Sequence, residues 1–193
     1  PPEEATWRDV LLHRCPGPMQ DLANQLGLAG LDDIFLRFGL AAPLVLPLNT
    51  ETPPLEPLED PLQAGIGQDN LTVSPLQVAV ALAALGNNGR LPTPQLVTAV
   101  ADANGLMQPQ PAAPSAGEAV TSRTSGEIRQ LLNTGSTVSF AVSALSGPES
   151  RNGWYLAVTP AYVPQFAVVL VIESGEDLET VARIGQGVAA AVG

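Results

Sequence analysis

The stretch that most constrains the fold is VSPLQVAVALAALGNNG, residues 73–89. Ser74 is a good helix N-cap, Pro75 suits the first helical position, and Gln77 completes a capping box with the serine. From Leu76 to Leu85 the predicted helix is apolar on every side, so it belongs inside the molecule rather than on its surface. Gly86 and Asn87-Asn88-Gly89 then stop it. The second half of the chain supplies layers to cover it. In STVSFAVSALSG, residues 136–147, Val138, Phe140, Val142 and Ala144 alternate with Ser139, Ala141 and Ser143, the period of a strand. GPESRNG follows as a turn, with Asn152-Gly153 expected at positive φ. WYLAVTP and QFAVVLVIES supply two further strands. EDLETVARIGQGVAAAVG gives a closing helix with Leu178, Val181, Ala182, Gly185, Val188, Ala189 and Val192 on one face.

The first half reads as helices. Residues 5–14 form a short one with Trp7, Val10 and Leu11 inward, and Cys15-Pro16-Gly17-Pro18 breaks it. A second runs from Met19 to a stop at Gly27. A third carries Leu31, Ile34, Phe35 and Phe38 at helical spacing and ends at Gly39. LVTAVAD, residues 96–102, reads as a strand leading to an Asn104-Gly105 turn, and a further helix is expected to begin near Thr124 or Ser125. Helices first, then a three-strand antiparallel meander under a C-terminal helix, specify an α+β fold. The expected organisation is one domain over residues 1–193. It comprises a helical part (1–40), a proline-rich connection (41–63), the buried helix with its flanks (64–135), and the sheet with its helix (136–193).

Nineteen acidic residues face eight basic ones, a formal net charge of −11. That balance excludes nucleic acid as a partner, because phosphate neutralisation supplies most of such affinity, and it disfavours an anionic membrane surface. All eight basic residues are arginines, so no step needing a lysine can come from these residues. One histidine and one cysteine cannot build a structural metal site. No cofactor or metal is therefore expected. No apolar run approaches the roughly 18 residues that span a bilayer. The chain begins at Pro1 rather than Met, and the expectation is a piece of a longer protein, reaching a membrane only through an anchor outside these residues.

Other sharp readings yield to plainer ones. His13 and Cys15, two apart on a helix, point in different directions and do not form a nucleophile and base. Asp32-Asp33 and Glu56, Glu59 and Asp60 are expected as solvated charge. Gly65-x-Gly67 does not open a helix from a strand, so it is not a phosphate loop. Trp154 and Tyr155, adjacent in a strand, are expected to pack on its two faces.

Three stretches, in this order along the chain, carry a family resemblance. WRDVLLHRCPGPMQDLANQLGL (7–28) with RFGL (37–40), GIGQDNLTVSPLQVAVALAALGNNGRLPTPQLV (65–97), and the 136–193 hairpin, strand and helix resemble the C-terminal part of a penicillin-binding protein transpeptidase domain. In that family's Gly-Gln-Gly and Thr-Pro-Leu-Gln signatures, Asp69 here replaces the second glycine and Ser74 the threonine. The resemblance implies acyl transfer by an active serine paired with a lysine. It also implies a substrate strand that pairs with peptide backbone and donates to an oxyanion. Carried over by position, the second motif, Ser-x-Asn, falls on Arg14, Cys15 and Pro16. The third, Lys-Thr-Gly-Thr-Ala, falls on Phe140, Ala141, Val142, Ser143 and Ala144. Only Ser143 and Ala144 keep the pattern, and the Ser143 N–H is the remaining candidate oxyanion donor. Phe140, Ala141 and Val142 are expected to turn a carboxylate groove into core.

The resulting expectation is a transpeptidase-like domain without catalysis, outside the cytoplasm (periplasmic or cell-surface). It would bind peptidoglycan peptides or proteins of cell-wall synthesis and division. Two alternatives stand beside it. The chain is part of a full-length D,D-transpeptidase or carboxypeptidase whose Ser-x-x-Lys lies upstream of residue 1, or it is a structural domain that binds no ligand.

Overall fold

The computed structural model describes residues 6–41, 43–46, 48, 56–147, 150–175 and 177–193, so part of the proline-rich connection lies outside the described residues. α1 (Trp7–Leu12) opens on a capping box that the sequence reading passed over: Thr6 Oγ1 accepts from the Asp9 amide, and the Asp9 carboxylate accepts from the Thr6 amide. Hydrogen bonds from the Thr6 side chain and amide hold the Asp9 carboxyl below its ordinary value. Val10 is buried as expected, but Trp7 is 48% exposed. A six-residue helix offers one inward stripe, and Val10 occupies it.

α2 (Pro16–Arg37) starts with Pro16 in its first turn and is broken at Gly27, whose φ of 68° only glycine takes cheaply. The expected stop at Gly27 is therefore a kink between two helical halves. Ala23 and Leu31 from those halves bury against Ala64 of α3 (Pro61–Ala64). α4 (Pro75–Gly86) carries the predicted box in full: Ser74 Oγ accepts from the Gln77 amide at 3.2 Å, and the Ser74 amide donates to Gln77 Oε1 at 2.9 Å. Val80, Ala81 and Ala84 are buried, while Leu76 in the first turn stays exposed.

β1 (Arg90–Leu91) pairs with β4 (Gly117–Glu118), and β2 (Ala99–Ala101) forms a hairpin with β3 (Met107–Pro109). The strand expected over 96–102 is thus three residues long, with Leu96 and Val97 exposed before it. α5 (Ser122–Leu131) begins earlier than Thr124, because Thr121 rather than a later residue is the cap and accepts from the Thr124 amide.

The meander forms as predicted: β5 (Val138–Leu145), β6 (Arg151–Thr159) and β7 (Phe166–Ile172) lie in the order β5-β6-β7, antiparallel throughout. Its register corrects one expectation. Asn152 and Gly153 are not turn residues; they sit inside β6 opposite Ala144 and Ser143, and the pairing runs on to Leu145 and Arg151. Gly153 is small for packing reasons, since a Cβ there would press on Val181 Cγ2 and the Gly175 carbonyl.

α6 (Leu178–Val192) covers one face of this sheet. Val181 and Ala189 bury against Ala141, Tyr155 and Ala157, and Gly185 lets the Tyr155 ring lie directly on the helix. Val188 and Val192, predicted on the same face, are exposed. Val188 falls to one side of the stripe made by 181, 185 and 189, whereas Val192 lies on its line but is the last residue of the helix. The opposite face packs on α4, where Val138, Val158 and Ala161 meet Leu82.

Candidate functional site

The site is the free edge of β5. β5 is the first strand of its sheet, so among the described residues its outer edge has no strand partner along 141–145. In an antiparallel pair, residues alternate between those that bond the partner and those whose N–H and C=O point away. The Ser139 amide donates outward to the Leu132 carbonyl, and the Ala141 carbonyl accepts from Arg14. Hence Ala141 and Ser143 both turn their peptide groups to the open edge. Ser143 N–H, the expected donor, points to this open edge.

Two arginines tie the start of the chain down, Arg8 of α1 to the end of α5 and Arg14, in the segment joining α1 to α2, to the β5 edge. Arg8 Nη1 donates to the Leu131 carbonyl at 2.6 Å and the Gln130 carbonyl at 3.3 Å, and Nη2 donates to the Asn133 carbonyl at 3.0 Å. That cation caps the C-terminus of α5, where the helix dipole favours positive charge. Arg14 Nε donates to the Ala141 carbonyl at 2.7 Å. Arg14 has φ 54°, a left-handed conformation costing an ordinary residue about 1–2 kcal/mol. Among the described residues no other bond involves its guanidinium, and the residue is exposed.

The structure therefore brings the two predicted motif positions together across a sequence gap of 127 residues. Cys15 is the N-cap of α2 without a side-chain capping bond, and Pro16 is the first residue of that helix. Of the residues expected to have become core, only Ala141 is buried, beneath α6. Phe140 and Val142 are half-buried. Alternation along β5 explains the split, because neighbours of Ala141 must point to the opposite face. Val142 and Ala144 there border a cavity of about 290 Å³ with Ile66, Leu71, Val73 and Trp154. A larger hollow of about 340 Å³, lined by Leu44, Val80 and Leu91, adjoins β1 and not this edge. Trp154 and Tyr155 take opposite faces as predicted, the first at the cavity and the second under α6.

The sequence reading missed the Arg14 bond and the cavity. Arg14 was visible as a cation in a two-helix turn, but its partner is a backbone carbonyl, which no side-chain pattern announces. Asp69, which stands where the family's signature has its second glycine, has a structural role. Its carboxylate accepts from the Glu59 amide at 2.7 Å and the Asp60 amide at 3.0 Å, fixing the chain that enters α3. Burial alone raises that carboxyl, but amide bonds from Asp60, Glu59 and Asn70 outweigh it and hold it below its ordinary value. Among the described residues no three metal-ligating side chains converge, and no helix is long and apolar enough to cross a membrane.

A family profile, the Penicillin binding protein transpeptidase domain, matches residues 1–192. The chain belongs to this family. It is 23% identical over 207 aligned positions to Peptidoglycan D,D-transpeptidase PbpA of Mycobacterium tuberculosis, covering 96% of this chain and 42% of that protein. In structure it is similar to penicillin-binding protein A from M. tuberculosis in its imipenem acyl-enzyme complex, with a TM-score of 0.84 and 22% identity over 98% of this chain and 48% of that one. The D,D-transpeptidase domain of a peptidoglycan glycosyltransferase from Eggerthella lenta gives 0.75 and 21%, over 89% and 49%. The chain thus spans less than half the length of these relatives. This transpeptidase-family domain has the family's helix-and-sheet scaffold, with Arg14 lying on the outer edge of β5.

Proposed function

We propose that this chain is a non-catalytic transpeptidase domain that binds cell-wall peptides or synthesis proteins along the open edge of β5. The observation that supports the reading is the Arg14–Ala141 bond: a bulky cation, at the position the resemblance gives to the second-motif serine, lies against the strand that resembles the family's substrate strand. Phe140, Ala141 and Val142 in place of Lys-Thr-Gly add a second loss, since none offers a charge or hydroxyl to a carboxylate. The absence of lysine from the sequence removes the family's general base from these residues. What is retained suits binding: the edge peptide group of Ser143 and an apolar cavity beside it. Its place is outside the cytoplasm, held by an anchor beyond these residues, with peptidoglycan synthesis or division as the process served.

Incubation of the purified chain with a fluorescent penicillin is expected to leave no covalent label, while a D-Ala-D-Ala peptide binds reversibly. A label on the chain overturns the loss of catalysis, and no peptide binding favours a structural domain without a ligand. A second reading draws on the retained Ser143 N–H at the open edge and on the match to less than half of each relative. In it, a Ser-x-x-Lys segment in the full-length gene product completes an acylating site. Labelling of the full-length product, with the 193-residue chain unlabelled, distinguishes it.

A further inference from the structure

The geometry points to Arg14 as a latch that closes the β5 edge until its side chain is displaced. This inference rests on the reading of β5 as a binding edge and concerns the regulation of that site. A strand added to β5 would run about 4.8 Å away and place an N–H on the Ala141 carbonyl. That carbonyl already accepts from Arg14 Nε at 2.7 Å. A carbonyl oxygen has two lone pairs, so the hydrogen bond alone does not exclude a second donor. The guanidinium does, because its planar group and stem stand in the slot the incoming backbone needs.

Two further features mark this contact as a latch rather than a staple. Arg14 is exposed and among the described residues its guanidinium makes one bond, whereas Arg8, in the preceding α1, makes three carbonyl bonds that tie that helix to the end of α5. Arg14 also sits at φ 54°, so the backbone is held in an unfavourable conformation that aims the side chain at the edge. An edge strand this apolar is exposed to pairing with other chains unless something covers it. Arg14 supplies that cover at the middle of β5, and beyond it the peptide groups of Ser143 remain open next to the cavity.

The test titrates a neutral, end-capped hexapeptide of alternating threonine and valine into the wild-type chain, Arg14→Gly and Arg14→Ala. Amide NMR shifts at Ser143 and Leu145 locate the binding. Glycine tolerates the local φ, so Arg14→Gly removes the latch while easing the backbone. The expected result is binding roughly tenfold tighter or more in both variants, the scale of losing one charge-assisted hydrogen bond, with shifts centred on Ser143. Equal affinity in all three proteins overturns the latch and leaves β5 standing as a binding edge. No binding in any of them overturns both the latch and the edge, and the D-Ala-D-Ala titration then decides the function separately. A melting temperature for Arg14→Gly well below wild type identifies Arg14 as a structural staple, which also overturns the proposal.

Discussion

Trp154 and Tyr155 are neighbours in β6, and they face two differently built halves of the molecule. Tyr155 is 1% exposed, its ring laid on Gly185 with Val181 beside it. Trp154 is half-buried and borders the 290 Å³ cavity next to the open edge. The α6 face is filled to the point where a single added carbon would collide with the ring. The other face, at the end of β5, leaves room. Close packing is where a fold stores its stability, and a cleft with free backbone groups is where it can bind. The scaffold of this transpeptidase-family domain and its candidate site are therefore separated by the thickness of one strand.

Truncating each aromatic in turn measures that separation. Tyr155→Ala removes a fully buried ring that α6 cannot follow inward, and is expected to cost about 3–5 kcal/mol. Trp154→Ala removes a larger ring, yet part of it already meets solvent and its loss enlarges an existing hollow, so about 1–2 kcal/mol is expected. Urea denaturation followed by far-ultraviolet circular dichroism reads both. Equal costs would show that the cavity is packed as tightly as the α6 face. A larger cost at Trp154 would place the principal core beneath α4.

How much of this was legible in the sequence differs between the two halves for the same reason. The α4 cap was readable because Ser74, Pro75 and Gln77 act on one another within four residues. The strands were readable because alternation is local too. Gly153 was misread as a turn because the reason for its size lies in Val181 and Gly175, which only the fold brings close. Similarly, Phe140 and Val142 were expected in the core along with Ala141. Alternation puts them on the other face, but whether that face is filled depends on residues 66–78, distant in the chain. The motif positions 14–16 and 140–144 were found by resemblance. Their meeting through Arg14 was not, since a bond from a side chain to a backbone carbonyl leaves no trace in residue identity.

The smallest effect gives the finest test of the filled face. The Tyr155 hydroxyl is buried and has no hydrogen-bond partner among the described residues. Burying a hydroxyl without a partner costs about 1–3 kcal/mol on protein-based scales, and the tyrosine ring must offset that through its packing. Tyr155→Phe keeps the ring over Gly185 and deletes only the orphaned oxygen. The variant is therefore expected to be as stable as wild type or up to about 1 kcal/mol more so, since the gained desolvation is partly offset by the small gap left behind. A rise or constancy in the urea midpoint with an unchanged slope agrees with this. A loss of more than about 1 kcal/mol would mean that the hydroxyl is bonded in solution, and the α6 face would then hold a polar contact rather than packing alone.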